Sequence, residues 1–204
     1  MRIIFATENE HKMHEIREIL ADLGAEILSL RDLGIKAEAE ENGTTFAQNA
    51  EIKAREIFTR LIENQSGGEP AMVMADDSGL CIDALDGAPG VHSARFMGHG
   101  TSYRIKNEAL LEQLKDVPDA QRGAQFVCDI CAILPDGRAL HAEGVMEGQI
   151  AHEIAGANGF GYDPIFYLPS YGKTSAELSE AEKNSISHRG KALGKMRALL
   201  EAEG

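Results

Sequence analysis

Arg2-Ile3-Ile4-Phe5-Ala6-Thr7-Glu8-Asn9-Glu10-His11-Lys12 is the stretch whose reading decides the fold. Ile3 to Ala6 is a short apolar run of the kind a buried strand needs. From His11 to Leu23, the residues Met13, Ile16, Ile19, Leu20 and Leu23 recur at helical spacing, and Gly24 stops the pattern. Ala25–Leu30 reads as a second strand. Strand, turn, helix and strand in this order form a βαβ-like opening, which points to an α/β architecture.

The rest of the chain extends that reading. Thr44 or Thr45 caps a second helix with Phe46, Ala50, Ala54, Ile57, Phe58 and Leu61 on its inner face. Asn64–Pro70 is read as a surface loop and Ala71–Ala75 as another buried strand, with Leu80–Leu85 continuing the sheet after a turn. Ile105, Ala109, Leu110 and Leu114 mark a further helix. Ala124–Leu134 and Arg138–Met146 form a hairpin across Pro135-Asp136-Gly137. A last helix covers Ser187–Ala202, with Leu193, Met196 and Leu200 inward. No repeat or long linker interrupts the chain. Residues 1–204 are therefore expected to form a single domain, α/β with a mixed sheet, in two lobes around one cleft.

Composition narrows the function. The 204 residues include 33 acidic and 20 basic ones, a formal charge of −13, with 43% apolar and 26% charged residues. Such a chain buries a core and is not disordered. Its acidity argues against DNA or RNA polymer as a partner, because phosphate backbones are held by surplus Lys and Arg. It also argues against an anionic membrane surface. There is no 18-residue apolar stretch and no signal-type h-region. Cys81, Cys128 and Cys131 make an odd set with no disulfide spacing, which fits a reducing cytoplasm. Cys128 and Cys131 sit in an alternating strand pattern, so their thiols should face opposite ways, against a redox or zinc pair.

Several segments carry chemistry. Thr7-Glu8-Asn9-Glu10-His11-Lys12 joins a buried strand to a helix start, where free N–H groups and the helix dipole attract phosphate. Asn9 can donate to a phosphate oxygen and Lys12 can neutralise one; a capped helix with a solvated Lys is the plainer reading. No Walker pattern occurs. Ala75-Asp76-Asp77-Ser78-Gly79-Leu80 places two adjacent carboxylates at the end of an apolar strand. One can face the site while the other braces the turn, and Mg²⁺ needs only one or two such hard ligands. An Asx-type turn is the alternative. Glu38, Glu40 and Glu41 are either a solvated acidic loop or the source of a second metal carboxylate. Gly156-Ala157-Asn158-Gly159-Phe160-Gly161-Tyr162-Asp163-Pro164 permits close backbone approach and offers aromatic faces to a base, or is a glycine-rich turn over core aromatics. Gly87-Ala88-Pro89-Gly90 is a second rigid turn, before Arg95. Between Lys183 and Arg197 stand five bases and no acid. Cations at the Ser187-His188-Arg189 helix start oppose the helix dipole, so an anionic or carbonyl-bearing group is expected to offset them.

In order, the segments are Thr7-x-Asn9-x-x-Lys12, Glu41-x-Gly43-x-Thr45-Phe46-x-x-Asn49-Ala50, Ala75–Leu80, Gly87–Gly90 with Ser93-Ala94-Arg95, Gly159–Phe166, and Ser187–Gly190. Together, over essentially the whole chain, this set closely resembles the inosine/xanthosine triphosphate pyrophosphatase (Ham1-like) family. The resemblance implies a homodimeric, Mg²⁺-dependent enzyme with an elongated two-lobed α/β fold, a central mixed, twisted sheet flanked by helices, and an active-site cleft between the lobes. It implies hydrolysis of deaminated purine nucleoside triphosphates between the α and β phosphates, giving a monophosphate and pyrophosphate. Carried over by motif, Asp77 is the general base and a metal carboxylate, with Glu41 the second. Thr7, Asn9, Lys12 and Ser78 meet the substrate. Phe160, Gly161, Tyr162 and Asp163 line the base pocket, and Lys183, His188 and Arg189 complete the contacts. Lys53, two turns beyond Phe46, is expected to reach the same place. Glu8 departs from the pattern, since many relatives carry a small residue there. The related septum-inhibitor (Maf-like) nucleotide pyrophosphatases and a non-catalytic nucleotide-binding module are the competing readings.

Overall fold

In the computed structural model, which describes residues 2–36, 39–63 and 71–203, the opening segment is β1 (Arg2–Phe5), α1 (Glu10–Ile19) and β2 (Glu26–Ser29). β1 and β2 pair in parallel, Ile3 opposite Ile27 and Ile4 opposite Leu28, which is the expected βαβ unit. A short 3₁₀ turn, Ala21–Leu23, completes the first helix, and Gly24 ends it in the left-handed conformation at φ 63°. Helix α2 (Phe46–Glu63) follows, then β3 (Met72–Ile82), α3 (Tyr103–Gln113), β4 (Gly123–Ile133) and β5 (Ala139–Ile150). The chain closes with β6 (Phe166–Leu168), β7 (Lys173–Thr174), α4 (Glu180–Ile186) and α5 (His188–Glu203). Glu38 and the Asn64–Pro70 loop lie outside the described residues.

The seven strands form one mixed sheet, ordered β2-β1-β3-β4-β5-β6-β7. β1 is parallel to both neighbours, whereas the β5–β6 and β6–β7 pairs are antiparallel. The chain divides into two compact units. The first comprises Met1–Asp77, Cys128–Gly144 and Arg189–Gly204, and the second Ser78–Val127 and Val145–His188. Among the described residues, no helix is long and apolar enough to cross a membrane.

Strand alternation builds the first unit. Ile3, Phe5, Met72, Met74, Cys128 and Ile130 point to one face and pack with Met13 and Ile16 of α1 and Leu193 and Met196 of α5. Ile4, Ala6, Val73, Ala75, Cys131 and Ile133 point to the other face, against Ala50, Ala54 and Ile57 of α2. Cys128 and Cys131 therefore lie in separate cores, and neither is joined in a disulfide among the described residues. Burial pushes the Cys131 thiol up to about 12. The second unit packs Leu80, Phe126, Met146 and Phe166 with Leu110 and Leu114 of α3.

Two expectations are corrected. Asp76–Gly79 is not a turn between two strands, because β3 runs unbroken from Met72 to Ile82. Extended backbone sends Asp76 and Asp77 to opposite faces, and each meets a cation there, so the carboxylates do not break the strand. In α3, Ile105 is 49% exposed and does not belong to the inner face. Lys106 and Asn107 are buried there instead, beside Leu110.

Candidate active site

The face that Asp77 joins is set by parity with Val73 and Ala75, so its side chain points toward α2. There its two oxygens are shared. Lys53 Nζ lies 3.1 Å from Oδ1, and Asn49 Nδ2 donates to Oδ2 at 3.1 Å. Lys53 also lies 3.3 Å from Glu41 Oε1. Asn49 is fully buried, and its Oδ1 accepts from the Gly43 N–H at 2.9 Å. Gly43 must be glycine, since a Cβ would stand 2.7 Å from Asn49 Oδ1. The helix that carries Asn49 and Lys53 starts where expected: Thr45 Oγ1 accepts from the Gln48 N–H at 3.2 Å.

Burial lifts the Asp77 carboxyl above the usual carboxylate range, against the pull of Lys53 and Asn49. Burial also works against the charge on Lys53, but Asp77, Asp76 and Glu41 outweigh it and raise its pKa. Both directions follow from one arrangement. A low-dielectric wall penalises a single negative charge, whereas the ammonium touches two carboxylates and feels a third, Asp76, from across the strand. Glu41 and Asp77 thus converge on one cationic centre. Two hard oxygen donors around a common cation are what Mg²⁺ accepts from a protein, with waters completing its shell, so these residues fit that metal.

Asp76 shares parity with Met72 and Met74 and points toward α1 and α5. Its side chain is wholly buried, with Lys12 Nζ at 2.9 Å and Arg189 at 3.1 Å from Oδ2. Arg189, 2% exposed, also pairs with the buried Glu15. Burial disfavours the guanidinium charge, but Asp76 chiefly, with Glu15, overrides it and raises the pKa. The anionic group expected to offset the cations at the start of α5 is this pair of carboxylates. Arg189 accordingly braces Asp76 and α1, and its bonds are directed inward. Asn9 caps α1, its Oδ1 accepting from the His11 and Lys12 N–H groups at 3.0 and 3.2 Å, while Thr7 Oγ1 accepts from the Asn9 N–H at 3.2 Å. Only the amide NH₂ end of Asn9 is left to meet a phosphate. Glu8 and Asn9 are exposed and Thr7 is half-buried.

On the α2 side of the sheet, His141 bridges Asp129 at 3.0 Å and Glu51 at 3.3 Å. Burial raises the Asp129 pKa, His141 opposes the shift, and Asp77 adds to it. Neither Asp129 nor His141 carried a motif signal. Asn49 did, through its fixed spacing from Glu41, but its role needs the strand opposite.

The second unit holds the other set. Asp163 is its hub: Oδ2 accepts from the Phe160 N–H at 2.8 Å and from Lys183 Nζ at 2.7 Å, and Oδ1 accepts from Ser175 Oγ at 2.8 Å. Asp163, Lys183 and Ser175 are all buried. Lys183 Nζ also stands 5.0 Å from the centre of the Phe160 ring. Gly159 is at φ 72°, and a Cβ there would lie 2.2 Å from Asp163 Oδ2. Tyr162 is buried, its hydroxyl donating to the Ser93 carbonyl at 2.7 Å. Phe160 is half-buried. His188 stacks on Phe126, 4.9 Å between ring centres and 14° from parallel. Ser78, half-buried, follows Asp77 on β3. The sequence-predicted residues thus gather into a carboxylate and cation group in the first unit and an aromatic loop held by a buried ion pair in the second.

The Ham1 family model matches residues 3–199. A dITP/XTP pyrophosphatase of Clostridium perfringens (strain 13 / Type A) is 48% identical over 200 residues, covering 98% of this chain and 97% of that protein. Among solved structures, the Ham1 protein of Staphylococcus aureus has a TM-score of 0.85 at 38% identity and covers both chains in full. A HAM1 protein from Coxiella burnetii has a TM-score of 0.85 at 41% identity over 99% of each chain. Motif order, strand order and whole-length similarity agree: the chain belongs to the Ham1 family.

Proposed function

We propose that the protein hydrolyses deaminated purine nucleoside triphosphates such as ITP, dITP and XTP to the monophosphate and pyrophosphate. The carrying observation is the convergence of Glu41, Asn49 and Lys53 on the buried carboxylate of Asp77. The name dITP/XTP pyrophosphatase, borne by a relative 48% identical over nearly the full length, supports the same reaction.

Asp77 acts as the general base. Its raised pKa brings proton affinity closer to that of a useful base at neutral pH than an exposed aspartate offers. Asn49 fixes the orientation of one oxygen, so the other faces the water that attacks the α-phosphorus. A divalent cation held by Glu41 and Asp77, Mg²⁺ in this reading, supplies charge stabilisation when bound. Lys53, displaced from its two carboxylates, turns to a phosphate oxygen. Thr7, the Asn9 amide, Lys12 and Ser78 orient the triphosphate, while Arg189 keeps Asp76 and Lys12 in place. Pyrophosphate leaves in line with the attacking water.

The Phe160–Asp163 loop reads the base. Hypoxanthine and xanthine present an acceptor O6 and a protonated N1, whereas adenine presents a donor and a bare nitrogen. A donor such as His188 accepts the first pattern and is left unpaired by the second, a mismatch that discriminates by ~10⁴ in hydrogen-bonding sites. Asp163 and Lys183 hold the Phe160 edge in place. A homodimer in the cytoplasm, working on free nucleotides and not on nucleic-acid polymer, belongs to the same reading. The absence of a disulfide among the described residues supports the reducing compartment, and the charge of −13 supports free nucleotides over polymer.

Pyrophosphate release from ITP, dITP, XTP, ATP, GTP and CTP, with and without Mg²⁺, tests the proposal. Mg²⁺-dependent release that favours ITP, dITP and XTP over ATP and CTP is expected, and GTP, which shares the O6 acceptor and the protonated N1, reports on the 2-amino group. Equal rates across all six would overturn the base-reading loop, and triphosphate binding without any release would overturn the enzyme.

A further inference from the structure

The first turn of α3 carries three groups that the reaction above does not use. Asn107 is 2% exposed, and its Nδ2 donates to the Gly161 carbonyl at 3.2 Å. Its Oδ1 is buried without a hydrogen-bond partner. Tyr103 meets Tyr162 edge-on, with ring centres 5.2 Å apart. Its ring lies directly behind Gly161, where a Cβ would meet it at 3.6 Å. Lys106 is 1% exposed. Its Nζ donates to the Ala94 carbonyl at 2.7 Å and stands 4.8 Å from the centre of the Tyr103 ring. Among the described residues it has no carboxylate partner.

This is a poor way to stabilise a helix start. A buried amide with one hydrogen bond and a buried ammonium with one carbonyl each lose more on leaving water than a well-packed apolar side chain would. What the arrangement does is fix position. Gly161 sits at φ 71°, between Phe160 and Tyr162. Its carbonyl is tied to Asn107, and the Tyr103 ring supports Tyr162 through an edge-to-face contact.

We propose that Asn107 is a positioning residue for nucleobase selectivity: through the Gly161 carbonyl it sets the edge of the Phe160–Tyr162 segment, with Tyr103 as the support behind it. The inference rests on the base-reading role of that loop and deepens it. It assigns selectivity to a residue that touches no part of the substrate.

The test is Asn107→Leu, which keeps the shape and removes the amide, assayed with ITP and ATP and with inorganic tripolyphosphate as a competitive inhibitor. A merely structural residue would lower melting temperature and turnover together. A positioning residue gives a different pattern. KM for ITP rises about tenfold, the size of one well-made hydrogen bond, and the ITP/ATP ratio of kcat/KM falls by a similar factor. kcat stays within about threefold, the tripolyphosphate Ki is unchanged, and the melting temperature shifts little, since the lost bond to the Gly161 carbonyl is offset by removal of the unpaired oxygen. If Asn107→Leu does not fold, Asn107→Asp carries the same assay, because it replaces the donor by an acceptor facing the Gly161 carbonyl. An unmoved KM and an unmoved ratio in a folded variant overturn the role of Asn107. Failure of the unaltered enzyme to release pyrophosphate from ITP overturns the function itself, which separates the two ideas.

Discussion

Lys53 and Asp77 are joined by an ion pair of 3.1 Å, side chains 13% and 10% exposed, that ties the middle of α2 to β3. Sequence separation hides this pairing, and strand parity creates it. Asp77→Asn keeps the shape but offers one acceptor oxygen in place of two, so it removes the base together with the bond to either Asn49 or Lys53. Turnover of ITP is expected to fall ~10²–10⁴-fold while nucleotide binding persists. Near-normal kcat in the variant, measured with Mg²⁺ present, rejects the assignment.

Asn49→Ala removes the donor to Asp77 Oδ2 and the acceptor for the Gly43 N–H at one stroke. Both partners are left short of a bond in a buried place, so a loss of about 1–3 kcal/mol in stability is expected, together with reduced kcat. Chemical denaturation and ITP kinetics check the two effects separately. A variant as stable and as active as the parent rules out the orienting role.

Arg189→Met takes away the cation that Asp76 and Glu15 share and leaves Lys12 beside Asp76. Breaking a buried pair from one side costs about 3–5 kcal/mol, which for a chain of this size lowers the melting temperature by roughly 10 °C. Adding Asp76→Asn to Arg189→Met should recover part of the loss, since one buried negative charge fewer then stands against the remaining Lys12. No recovery in the double variant contradicts the bracing account.

Gly159→Ala forces a side chain into the left-handed region and against Asp163 Oδ2. Strain of about 1–3 kcal/mol is expected, released by moving the carboxylate away from Lys183 and the Phe160 N–H. KM for ITP should rise more than kcat falls. An unchanged KM removes the loop from base recognition.

The Cys131 thiol has its pKa raised to about 12 by burial, from an ordinary 9.0. The folded state keeps this proton where the unfolded state releases it. Below pH 9 both hold it and stability is unaffected. As pH rises from 9 toward 12, the unfolded state alone loses the proton, and stability falls by up to about 1.4 kcal/mol per pH unit from this group. Cys131→Ala should flatten that part of the pH–stability curve relative to the parent, as followed by urea unfolding at pH 8 to 11. Parallel curves for the two proteins refute the shift.

Much of this protein was legible before any coordinate. The 3.6-residue and two-residue periodicities in Arg2–Leu30 determined the βαβ opening, because each pattern can bury its apolar side chains in only one kind of element. The alternation around Cys128 and Cys131 separated their thiols, and the motif order identified the family. Glu41, Asp77 and the Phe160–Asp163 loop were singled out through the resemblance of their motifs to those of the family. What only the tertiary structure decided is which charges meet. β3 runs straight through Asp76 and Asp77, which sends one carboxylate to Lys12 and Arg189 and the other to Lys53 and Asn49. The buried partners Glu15 and Asn107 carry no signature of their own. A buried polar residue is explained by what lies across from it, and that neighbour is set by the packing of distant segments.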